Sequence, residues 1–98
     1  MFAQLSTVRL RPNKADEWIA LARDSILPAA KEMEGYIHAY LFVDREANVG
    51  VGLSLWRTKA DIEAAATSGF YQEQAAKAAS LLDGPPVRQV LEVALEPS

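Results

Sequence analysis

Apolar and polar positions alternate with two different periods along this chain, and the changes of period divide it into strands and helices. Phe2 to Leu10, "FAQLSTVRL", is rich in apolar and β-branched residues and gives way to "RPNK", which predicts a first strand closed by Pro12 and Asn13. Trp18, Leu21, Ala22, Ser25 and Ile26 then recur at helical spacing, behind Asn13 as a candidate cap and with Asp16 near the positive helix end. Pro28 lacks a donor and crowds the carbonyl one turn back, so this helix should kink or restart there and continue through "PAAKEME". The runs "GYIHAYLFV" and "VGVGLSLW" flank the polar "DREAN" and predict an antiparallel hairpin. Thr58, with Asp61 three residues on, opens a second helix at "KADIEAAA", which Ser68-Gly69 interrupts before "FYQEQAAKAASLL". "DGPP" stops it, and "VRQVLEVAL" supplies a last strand with Val87, Leu91, Val93 and Leu95 on one face.

The resulting order, β-α-β-β-α-β, predicts an α+β, ferredoxin-like βαββαβ fold: one four-stranded antiparallel sheet with both helices on one face. That architecture leaves the other face bare. On the third strand Val51, Leu53 and Leu55 point one way, and Gly52, Ser54 and Trp56 point the other. On the second, Ile37, Leu41 and Val43 oppose Tyr36, His38, Tyr40 and Phe42, so neither face is polar. One helical layer covers only one of them, and an exposed apolar face of this kind marks an association surface. Homodimerisation through the face of Val51, Leu53 and Leu55 is the expectation.

Composition narrows the function. At 98 residues and 50% hydrophobic, the chain fits a single domain over residues 1–98. Ten basic against thirteen acidic residues give a net charge of −3 with no basic block, which argues against nucleic acid as a partner. The RNA-recognition fold shares the βαββαβ order, but it displays aromatics beside basic residues where this third strand reads "GVGLSLW". Cysteine is absent, which excludes disulfides, thiolate catalysis and Cys-ligated metal. "GVG" opens no helix and has no phosphate-loop spacing, so no nucleotide site is indicated. With no signal-like start and no apolar run long enough to span a bilayer, a cytoplasmic protein with no membrane partner is the expectation.

The chain resembles the antibiotic biosynthesis monooxygenase family of dimeric α+β barrels. The resemblance rests on "VRLRPNKADEW", on "EGY" where the family has Pro-Gly-aromatic, and above all on "LSLWRTKADIEAAATSGFY". In that last stretch Trp56 ends the third strand, Thr58 begins a cap, and Ser68 precedes Tyr71 by three residues, as in the family. The family includes cofactor-free oxygenases of phenols and quinols, haem-degrading enzymes and relatives acting on small signalling molecules. The ligating His of the haem-degrading members falls on Ala75, a further common His falls on Ala65, and the Asn of the polyketide-quinone oxygenases falls on Gly52.

These residues direct attention to the face of Gly52, Ser54 and Trp56. Beneath the helices, the two missing side chains either leave a pocket beside the indole or admit a close-packed, alanine-rich helix. In the first case Phe2, Gln4, Ser6 and Val8 line it from the neighbouring strand and Tyr71 from the second helix. His38, the chain's single histidine, has the pKa suited to taking a proton from a phenol or enol, although a lone strand His is also a common surface residue. The candidate site is therefore His38 and Trp56 as catalytic residues, with Gln4, Ser6, Gly52, Ser54 and Tyr71 against a small-molecule substrate. The resemblance implies a cofactor-independent monooxygenase of a small aromatic or quinol. The alternatives are a non-catalytic small-molecule-binding or scaffold dimer, and an isomerase or cyclase on the same scaffold.

Overall fold

The four apolar runs form strands β1 (Phe2–Arg9), β2 (Tyr36–Asp44), β3 (Val49–Trp56) and β4 (Val87–Glu92) in a computed structural model that describes residues 1–97. They make one sheet in the order β2-β3-β1-β4, with every neighbouring pair antiparallel. This is the ferredoxin-like arrangement read from the sequence, with the helices over one face. Directly opposed residues share a face. Gln4 stands between Ser54 and Val90, and Ser6 between Gly52 and Arg88, while Leu5 lies beside Leu53 on the reverse side.

The first helix does not run as a single α-helix. Helix α1 (Ala15–Leu21) passes into a π-helical turn at Ala22–Ile26 and then into α2 (Leu27–Ala30), where Pro28 occupies the first turn. A wider turn ahead of a proline accommodates the lost donor and the crowded carbonyl without a break. The helix ends at Ala30, so "PAAKEME" continues it only in part. Asn13 is not the cap: it takes φ 63°, a left-handed conformation Asn tolerates well, and Lys14 holds the cap position without a side-chain bond. Trp18, Val8, Leu10, Ala15, Leu81 and Leu82 form the main core cluster between this helix and the sheet.

The second helix is in two parts, α3 (Lys59–Ala66) and α4 (Gly69–Ala78), followed by a 3₁₀ turn at Ala79–Leu81. Thr58 caps α3 by accepting from the Asp61 N–H at 3.1 Å and donating to its carboxylate at 2.8 Å. Ser68 caps α4 through the Tyr71 N–H. Ile62 of α3 is fully buried, 0% exposed, which fixes that helix to the sheet. Among the described residues no helix is long and apolar enough to cross a membrane.

Two strand details differ from the sequence pattern. The β2–β3 register shifts between Tyr36 and His38, so Ile37 is a bulge residue and Tyr36 joins the face of Ala39, Leu41 and Val43 instead of that of Tyr40 and Phe42. β4 ends at Glu92, leaving Val93 and Leu95 beyond the strand, with the Val93 N–H donating to the Met1 carbonyl. The face turned from the helices carries Val51, Leu53 and Leu55, together with exposed Tyr40, Phe42, Val87 and Leu91.

Candidate functional site

Glycines on β3 decide whether the helix-facing side of the sheet is packed or hollow. A Cβ on Gly50 would stand 2.5 Å from the Trp18 ring, so this glycine admits a close-packed indole. A Cβ on Gly52, two residues on and facing the same way, would meet only Leu41 Cδ1 at 3.7 Å. The strand is closed over Gly50 and open over Gly52. The space above Gly52 is a cavity of about 770 Å³ between the sheet and both helical segments, within the ~300–1,000 Å³ of small-molecule pockets. Gln4, Ser6, Gly52, Ser54 and Trp56 form its floor, and Ile26, Leu27, Phe70, Tyr71 and Gln74 part of its roof. Ala65 and Ala75 also line it, and their small side chains leave it wide.

Most of the expected site is thus brought together. Gln4, Ser6, Gly52, Ser54, Trp56 and Tyr71 share the cavity, and so does Val8; Phe2 is not part of the lining. His38 is a different case. It pairs with Leu55, on the face turned away from the cavity, and its ring meets Tyr40 edge-on at 4.7 Å. The period of two that puts Gly52, Ser54 and Trp56 under the helices puts His38, opposite Leu55, on the other side with Tyr40 and Phe42. The structure does not bring it to Trp56, and the expectation of a His38 base in the pocket is corrected accordingly.

Trp56 is 4% exposed, and its indole N–H donates to Ser54 Oγ at 2.9 Å, so the ring is fixed and its donor is used. Tyr36 meets that ring edge-on at 5.8 Å between centroids. Burial pushes the Tyr36 hydroxyl above the usual tyrosine range, which keeps it neutral and able to donate. At the opposite side, Arg88 donates to Gln4 Oε1 at 3.1 Å and lies 5.6 Å from the Tyr71 ring centre, a cation–π contact that steadies Tyr71. Arg23 lines the rim but is held by Asp24 through bonds of 2.8 and 3.0 Å; their hydrogen bonding lowers the Asp24 carboxyl below its usual range.

Sequence reasoning missed Tyr36, Gln74 and Arg88 as part of this region. Tyr36 was concealed by the bulge. Gln74 looks like one more polar residue of an exposed helix in "YQEQAAKAA", yet it is the buried polar side chain among the described residues, at 6% exposure. Arg88 stands seventeen residues after Tyr71 in the chain, and only the β1–β4 pairing carries it beside Gln4.

A family model described as antibiotic biosynthesis monooxygenase matches residues 1–77. The chain belongs to this family. Solved structures agree on the fold: Rv0793 from Mycobacterium tuberculosis superposes with a TM-score of 0.80 at 22% identity, covering 99% of this chain and 98% of that one. A monooxygenase from the ActVA-Orf6 gene of Streptomyces coelicolor, in complex with the ligand nanaomycin D, superposes with a TM-score of 0.84 at 19% identity over 99% and 92% of the two chains. In sequence the chain is similar to the uncharacterized protein Rv2558 of M. tuberculosis, 33% identical over 58 residues. That match takes in 59% of this chain and 25% of the relative, so the chain spans about a quarter of the length of the curated relatives it matches.

Proposed function

We propose that this antibiotic biosynthesis monooxygenase family member is a cofactor-independent monooxygenase of a small aromatic or quinol, acting as one domain over residues 1–98 in a homodimer joined through the open sheet face. The observation that carries the reading is the open space over Gly52 beside a fixed Trp56. Family membership and the ligand-bound structure of the S. coelicolor monooxygenase support it. In such a reaction the substrate supplies the electrons. A quinol and O₂ give a hydroxyquinone and water: one oxygen atom enters the ring, the other leaves in water, and the four electrons come from the quinol. The protein then has to hold the ring, stabilise its ionised oxygen and exclude water. Trp56, Phe70 and the alanines supply the apolar walls, and the neutral Tyr36 hydroxyl supplies a donor. Ser54 accepts from Trp56 and keeps its own hydrogen for an acceptor in the cavity.

A second reading has its own support. Among the described residues the cavity lining holds no carboxylate, imidazole or lysine side chain that could serve as a base. A non-catalytic binding dimer fits that lining. Oxygen uptake by chelator-treated protein supplied with hydroquinone or 1,4-naphthohydroquinone separates the readings. The oxygenase gives uptake above autoxidation, with one hydroxyquinone formed per O₂. Binding with uptake at the autoxidation rate means a binding protein, and turnover under nitrogen means an isomerase or cyclase.

A further inference from the structure

Gln74 has a fixed orientation. The Lys77 ammonium has only donors, and its Nζ donates to Ser25 Oγ at 3.3 Å. Ser25 accepts from Lys77, and its own hydroxyl donates to Gln74 Oε1 at 2.8 Å. With Oε1 occupied as acceptor, the amide is turned so that Nε2 is the end left over. Among the described residues none accepts a hydrogen bond from that nitrogen, and no buried side-chain polar atom is sealed off without a partner. Gln74 is 94% buried and lines the cavity, so the amide donor opens onto the cavity space. Its support comes from the π-helical turn: Ser25 lies within Ala22–Ile26, where the widened turn faces α4.

An oriented donor in a mostly apolar cavity favours an acceptor and disfavours a bare hydrocarbon, which would leave the N–H unpaired. We propose that Gln74, oriented by Ser25 and Lys77, donates to a carbonyl oxygen of the ligand, and so selects aromatic ketones and quinone-like rings over hydrocarbons of the same shape. This rests on the reading of the cavity as a ligand site. It adds a specificity residue that neither the sequence pattern nor Trp56 supplies.

The test compares two bicyclic probes that differ by one carbonyl oxygen, 1-tetralone and tetralin, by calorimetric titration. The parent protein binds both, with 1-tetralone the tighter. Gln74→Leu weakens 1-tetralone about tenfold, the loss of one neutral hydrogen bond, and leaves tetralin within about twofold. Gln74→Glu, close to isosteric, places acceptors toward the carbonyl and likewise weakens 1-tetralone only, which guards against a folding defect in the Leu variant. Ser25→Ala frees the amide to turn and gives a smaller, same-sided loss. If both probes bind the parent and both Gln74 variants leave their ratio unchanged, Gln74 is a packing residue and the proposal is overturned while the cavity reading stands. If neither probe binds the parent, the cavity reading fails and the proposal with it.

Discussion

Gly50 and Gly52 have the same chemistry and face the same way, yet the structure gives them opposite roles. Over Gly50 the Trp18 ring leaves no room for a methyl group. Gly50→Ala should cost about 1–3 kcal/mol, the usual scale of overpacking a close-packed core, read as a lowered midpoint in urea or thermal unfolding. Gly52→Leu places its side chain in open space and should unfold close to the parent while losing affinity for aromatic ligands. In the sequence, packing and pocket both account for a small residue on β3, and the family resemblance favours the pocket. What distinguishes the two glycines is the position of Trp18, set by a helix some thirty residues away in the chain.

The Thr58 cap and the strand periods were legible because each depends on neighbours in sequence. Thr58 acts where its spacing put it, while Ser68, expected as part of a helix break, also caps α4; Thr58→Ala should cost about 1 kcal/mol of stability, the usual scale for an N-cap, read by chemical denaturation. The lost Thr58 cap also frees Asp61, whose side chain packs on Gly35, a left-handed residue at φ 85° that opens β2. Features that depend on partners far along the chain were not legible. The bulge at Ile37 follows from how β2 registers on β3, and it moves Tyr36 to the cavity side while His38 stays on the other. Asn13 suits a cap and a left-handed turn equally well by residue type, and the chain takes the turn. Pro28 predicts a kink or restart, and the helix adapts one turn earlier, as the π-helical segment that carries Ser25.

For the molecule as a whole, the sheet has two apolar faces, and the helices cover one of them. One lies under the helices and holds the cavity. The other exposes Tyr40 at 55% and Phe42 at 52% on one edge strand and Val87 at 63% on the other, side chains that a second copy of the same face covers in the proposed homodimer. Leu53→Asp, which sets an unpaired charge in that interface, should turn a dimer into monomer or aggregate in light scattering at micromolar concentration. A monomeric parent under those conditions would refute the sheet-to-sheet dimer. The cavity is tested most directly through the indole that borders it. In a Trp18→Phe background, checked for folding by circular dichroism, Trp56 is the remaining tryptophan, and its fluorescence is titrated with 1,4-naphthoquinone with and without Gly52→Leu. A ligand site over Gly52 predicts saturable quenching that Gly52→Leu abolishes without lowering the unfolding midpoint. Quenching that rises linearly, or that saturates equally in the Gly52→Leu variant, would contradict it.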